Sequence, residues 1–116
     1  TQAALDRTIR ETCDKTAEKL GEQYDKLVQF PLYKAPAFRK AYLDSVMADS
    51  YGYAGTEIIR RTVGDSKVME VTSVAEPERR IPMERALIKL GIYLIKERAS
   101  GLTGTAVTEM FRMILA

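Results

Sequence analysis

PAFRKAYLDSVMADSYGYAGTEIIRRTV (residues 36–63), followed by Gly64, decides the fold. Phe38, Tyr42, Leu43, Val46 and Met47 recur at steps of one, three and four residues, and the pattern runs on through Tyr51, Ala54, Ile58, Ile59 and Val63. An α-helix turns about 100° per residue, so these steps gather apolar side chains on one stripe. Pro36 suits a first helical turn, where no backbone N–H is needed. Gly64 suits the left-handed residue that ends a helix. The middle of the stretch is unusual, because Ala48, Gly52 and Gly55 fall close together on one face. Each interior glycine costs about 1 kcal/mol against alanine. Close approach of another helix or of a ligand explains such residues, and helix packing is the simpler of the two.

Upstream, residues 4–30 read as one long helix. Leu5, Ile9, Cys13, Ala17, Leu20, Tyr24, Leu27 and Val28 form its stripe, with charged residues, Asp14 among them, on the remaining solvated faces. Glu11 to Lys15 and Glu22 to Lys26 are favourably ordered pairs four residues apart. Pro31 and Pro36 break the chain between the two helices. Downstream, residues 65–76 read as a loop in which Val68, Met69 and Val71 offer a short extended piece or one helical turn. A third helix over residues 77–99 buries Met83, Ala86, Leu87, Leu90, Gly91, Leu94 and Ile95, with Pro82 as a kink or the true first turn and Gly101 as terminator. A fourth follows a cap at Thr103 or Thr105 and carries Val107, Met110, Phe111, Ile114 and Leu115 on one stripe. No segment alternates as a strand does. The expected architecture is all-α, a single helical domain over residues 1–116 built as a bundle of about four main helices.

Composition narrows the chemistry. The 116 residues are 46% apolar and 29% charged, ordinary for one globular domain. No uncharged apolar run reaches the length of a membrane span, and the N-terminus lacks the pattern of a signal peptide. The chain starts at Thr1 rather than Met, which is read as trimming or excision from something longer. There is no histidine. That removes Ser-His-Asp triads, Cys-His dyads and most zinc and iron sites. Cys13, the single cysteine, cannot form an internal disulfide, which favours a reducing, intracellular setting; on an apolar stripe it reads as a packed thiol, not a nucleophile. A net charge of +2 does not point to nucleic acid.

No Walker phosphate loop, no GxGxxG and no kinase catalytic loop is present, so no catalytic, cofactor-binding or metal-binding residue is expected in this segment. The best candidates for ligand contact are Arg60 and Arg61. Two guanidinium forks suit phosphate or carboxylate. From chemistry alone the reading that they complement the helix dipole and pair with Glu57, Asp65 or Glu70 is preferred. Arg79-Arg80, among Glu76, Glu78 and Glu84, looks like a solvated helix start. Tyr42, Tyr51, Tyr53 and Tyr93 read as core aromatics before cavity lining.

Asp49-Ser50-Tyr51-Gly52-Tyr53-Ala54-Gly55-Thr56-Glu57-Ile58-Ile59-Arg60-Arg61-Thr62-Val63-Gly64 resembles a segment near the C-terminus of methylthioribose kinases. Ser73-Val74-Ala75-Glu76-Pro77 and Leu94-Ile95-Lys96-Glu97-Arg98 are similar to that family's next helix start and its end. The likeness covers residues 38–98, with the Arg-Arg segment its specific part. Ser66-Lys67-Val68 stands where family members often carry an Ala-His-Val setting.

The resemblance implies the helical C-terminal part of a protein-kinase-like sugar kinase. That family transfers phosphate from ATP, with magnesium, to the 1-hydroxyl of methylthioribose in methionine salvage. ATP, Mg and the catalytic residue would belong to a missing N-terminal kinase lobe. Arg60 and Arg61 would be the substrate-side contacts. A cytoplasmic setting and a possible homodimer are implied too, with no nucleic-acid or membrane partner. The other reading is a non-catalytic helical interaction or dimerisation module built on the first helix and on Met110 and Met113.

Overall fold

The computed structural model describes residues 2–63 and 77–115. Four α-helices lie in them: α1 (Gln2–Leu27), α2 (Pro36–Val63), α3 (Pro77–Lys96) and α4 (Gly104–Leu115), with a short 3-10 turn, Pro31–Lys34, between α1 and α2. No strand occurs among the described residues, and the architecture is all-α. The cap expected of Gly64 and the loop of residues 65–76 fall outside them.

The helix ends follow local chemistry. α1 stops at Leu27, three residues before the predicted end, because Pro31 forces the residue before it out of the helical region. Phe30 accordingly sits at φ −69°, ψ 125°. Pro82 lies inside α3, so it does not mark the first turn. α3 ends at Lys96, three residues before the predicted end, and Gly101 adopts φ +82°. Thr103 caps α4. Its hydroxyl accepts the Ala106 amide at 3.2 Å and its carbonyl accepts the Val107 amide at 3.1 Å.

α2 and α3 form the heart of the molecule. They cross where glycine faces glycine. A methyl built on Gly55 would lie 2.5 Å from the Gly91 carbonyl oxygen, and one built on Gly91 would lie 2.7 Å from Ile59 Cγ1. The two backbones are in contact, which is the reason for the small residues that periodicity picks out. Tyr51, Leu90 and Leu94 are buried around the crossing and Val107 of α4 completes the cluster; Ile9, Cys13, Met47, Ile58 and Phe111 pack on its flanks. Leu94 is 3% exposed.

α1 does not lie along α2. It packs antiparallel on α4, through contacts that periodicity does not show. Arg112 donates to the buried Asp6 carboxylate at 2.6 Å. The Gly104 amide donates to Asp14 Oδ1 at 2.8 Å. Gly104 itself approaches the Arg10 backbone too closely for any side chain. Asp14 is therefore no idle surface charge: it tops the positive end of α4. Glu11 and Lys15 pair at 3.9 Å, whereas Glu22 reaches Lys19 at 3.2 Å.

The far end of α1 meets the 3-10 turn and the start of α2. Arg39 forks onto Asp25 at 2.7 and 3.1 Å, and the Tyr24 hydroxyl donates to the Tyr33 carbonyl. Rings then follow one another across the elbow: Tyr24 to Tyr42, Tyr42 to Phe38, Phe38 to Tyr33, Tyr33 to Phe30, with centroids 5.0–6.4 Å apart. The result is a rod of 57 × 30 × 22 Å. Its radius of gyration, 16.8 Å, exceeds the roughly 13 Å of a compact domain of this length. Among the described residues no helix is long and apolar enough to cross a membrane.

Candidate functional site

The last turn of α2 carries the predicted site residues. Ile58 and Ile59 turn toward α3 and the core, and Thr62 is buried with its hydroxyl bonded to the Ile58 carbonyl at 2.7 Å. That leaves Glu57, Arg60 and Arg61 on the outward face. Residues three and four apart are neighbours on a helix, so one carboxylate can meet both cations. It does. Arg60 grips Glu57 with Nε at 2.9 Å and Nη2 at 2.5 Å, and Arg61 Nε adds a third bond at 2.8 Å. The structure brings the two arginines together on one acceptor although adjacent residues point about 100° apart.

The electrostatics follow from the fork. Hydrogen bonds from Arg60, then Arg61, hold the Glu57 carboxyl down at about 2. The same bonds raise Arg60. Two cations on one anion leave the cluster with a surplus positive charge, and all three side chains are about half exposed. Such a group can receive a phosphate or a carboxylate by exchange with Glu57, because the donors are already aligned. Asp65 and Glu70, the other predicted partners, lie outside the described residues, as does the Arg79 side chain. Arg80 stands 3.8 Å from Glu84.

The tyrosines divide. Tyr51 is buried and Tyr93 packs against the core. Tyr42 is half exposed in the aromatic elbow, and Tyr53 is 76% exposed, so neither is a core residue. Tyr53 stands two residues after Tyr51, about 200° further round the helix.

A second feature lies about 13 Å along α2 from the arginines, counted as nine residues of rise from Tyr51 to Arg60. It is a cleft of about 480 Å³ between α1, α2 and the turn after α3, lined among others by Cys13, Asp14, Lys40, Asp44, Tyr51 and Arg98. Lys40 and Asp44 close on each other at 2.5 Å, and Arg98 donates to the Ile95 carbonyl at 2.7 Å. Burial pushes the Cys13 thiol up, against a hydrogen bond with Tyr51 that lowers it, and Asp14 raises it further. Burial first, then Cys13, pushes the Tyr51 hydroxyl up as well. The thiol is protonated at neutral pH, as its place on an apolar stripe suggests. No motif announces this cleft, because its lining comes from three separate stretches of chain. Among the described residues no group of three or more Cys, Asp or Glu side chains is placed to hold a metal ion.

No family model matches the chain, and no solved structure does. Curated proteins do. A methylthioribose kinase of Erwinia tasmaniensis is 40% identical over 60 residues, 52% of this chain and 15% of that protein. One of Citrobacter koseri is 33% identical over 87 residues, 75% of this chain and 22% of that protein. One of Bacillus mycoides is 39% identical over 72 residues, 62% of this chain and 17% of that protein. The chain thus spans between about a seventh and a fifth of the length of these relatives. Over half to three quarters of its own length, it is similar to a stretch of methylthioribose kinases.

Proposed function

We propose that the chain is the substrate-side helical portion of a longer, ATP-dependent sugar kinase of the methylthioribose kinase type, and that Arg60 and Arg61 contact the sugar and the phosphoryl group in transit. The observation behind this reading is the shared fork on Glu57. Phosphoryl transfer spreads negative charge over the oxygens of the moving group, and aligned guanidinium donors neutralise it without reorganising. Glu57 positions them while the site is empty and yields them to a stronger anion. In this reading ATP and Mg are held by an N-terminal kinase lobe elsewhere in the parent protein. That lobe, a small sugar and a second copy are the proposed partners, and the cytoplasm the proposed setting.

The test is kinetic and uses the intact gene product. Arg60→Ala and Arg61→Ala should each lower turnover of methylthioribose by about a hundredfold, with melting unchanged. Undiminished turnover in both variants would sink the proposal. The helix end should also respond to acid. The folded Glu57 carboxyl lies below its ordinary 4.5, near 2, so its contribution is complete above 4.5 and is lost as the pH falls from there toward 2. Fraying of the last turn of α2, read by amide exchange, should grow over that window and be independent of pH in Glu57→Gln. The second reading, a non-catalytic interaction or dimerisation module, draws on the exposure of Met113 and of the elbow residues.

A further inference from the structure

The cleft between α1, α2 and the turn after α3, about 480 Å³, has room for a small molecule. Most of the polar groups that line it are already matched. Lys40 holds Asp44 at 2.5 Å. The Ser100 hydroxyl donates to the Glu97 carbonyl at 2.7 Å, and Thr103 caps α4. The Tyr51 hydroxyl and the Cys13 thiol have each other. Two charged groups keep spare capacity. Arg98 spends an N–H on the Ile95 carbonyl, and among the described residues no carboxylate pairs with its guanidinium. Asp14 gives Oδ1 to the Gly104 amide, and among the described residues its Oδ2 receives no hydrogen bond. The backbone also makes room for Arg98. Gly52 lies inside α2, where a methyl would stand 3.1 Å from Arg98 Cδ. An interior glycine weakens a helix, and here it lets the arginine stem cross α2 at close range.

We propose that this cleft binds a small zwitterion, an amino acid with an apolar body, its carboxylate on Arg98 and its ammonium on Asp14. A guanidinium fork takes a carboxylate through parallel hydrogen bonds, and a carboxylate oxygen accepts from an ammonium. The charges of the lining, Lys40 and Arg98 against Asp14 and Asp44, cancel. A ligand with only one charge would leave one of the two spare groups unmatched, whereas a zwitterion answers both. Ala17, Met47 and Ala48 line the same cleft and give the apolar body a surface to pack on. The site lies about 13 Å along α2 from Arg60 by helical rise, and it does not rest on the kinase reading.

Methyl NMR of the intact gene product, labelled at methionine, tests this. The Met47 signal, assigned by its loss in Met47→Leu, should shift saturably with norvaline, whose amine neighbours its carboxylate, or with δ-aminovalerate, its isomer with the amine at the chain end. The isomer that binds more tightly reports the spacing of Arg98 and Asp14. Valerate, which lacks the ammonium, and pentylamine, which lacks the carboxylate, should each bind about tenfold more weakly than that isomer. Arg98→Gln should weaken the zwitterion by about tenfold. Asp14→Asn keeps an oxygen for the Gly104 amide and should bring the zwitterion down to the affinity of valerate, with the Met110 signal unmoved as the check on folding. Arg60→Ala should leave binding as it is. A Met47 signal that neither isomer moves overturns the proposal. So does valerate or pentylamine binding as tightly as the better zwitterion. Binding lost in Arg60→Ala but kept in Arg98→Gln moves the ligand to the end of α2 and overturns it too.

Discussion

The two ends of α2 are built on opposite plans. Toward its C-terminal half, Gly55 meets Gly91 and backbone touches backbone, with Leu94 and Tyr51 sealed around the contact. Toward its N-terminus, Phe38 and Tyr42 reach sideways to rings from α1 and the 3-10 turn, and the cluster stays half open. Both ends show the same three- and four-residue spacing of apolar residues. Periodicity therefore reports which face of a helix is apolar, while side-chain size reports what covers it. Small residues mean that a neighbour arrives at close range; large rings mean that the space is left for side chains, or for another body.

The contrast can be broken at its tight end first. Gly91→Val would drive a branched side chain into Ile59 and the Gly55 carbonyl, contacts that a Cβ alone already makes at 2.7 and 2.8 Å. A loss of about 3 kcal/mol or more is expected by chemical denaturation, with much of the described helix content gone at moderate temperature. A loss below about 1 kcal/mol would mean that α2 and α3 are further apart than described. An intermediate effect belongs to the junction of α1 with α4. Thr103→Ala removes the hydroxyl that accepts the Ala106 amide and should cost about 1 kcal/mol. Asp14→Ala, at the same helix start, should cost a similar amount and make Thr103→Ala less than additive, because both relieve one set of amides. Strict additivity would separate the two caps. The smallest effect is expected at the elbow. Phe30→Ala in the isolated chain should change stability by no more than about 0.5 kcal/mol, since the ring is 59% exposed. A change above about 2 kcal/mol would show that the elbow is already packed without a partner.

These expectations separate what was legible in the sequence from what was not. Helix type and most helix ends follow from short-range rules. Proline, glycine and Thr103 act within a turn of themselves, so residues 36–63 and the start of α4 read directly. The glycine crossing was legible in half, since Gly55 announced a close neighbour and did not name Gly91. The Glu57 fork was legible because three- and four-residue spacing alone brings its members together. Asp6, Asp14 and Gly104 were not legible in this way. A carboxylate on the charged side of a helix looks solvated until the partner 90 or 106 residues away is known. The same ignorance of partners makes Leu5 and Leu27 look buried, although both are exposed among the described residues.

The pairing of α1 with α4 sets a delay on the ribosome. Asp6 waits for Arg112 and Asp14 waits for Gly104, so α1 is seated by a helix that lies 90 to 106 residues further along the chain. At about 5–20 residues per second, roughly 5–20 s pass between the synthesis of the two. During that interval α2 and α3 can close their glycine contact and bring Tyr51 up to Cys13, while the face of α1 that meets α4 waits. Until Gly104 and Arg112 have emerged, α1 lacks the two long-range contacts that seat it on α4.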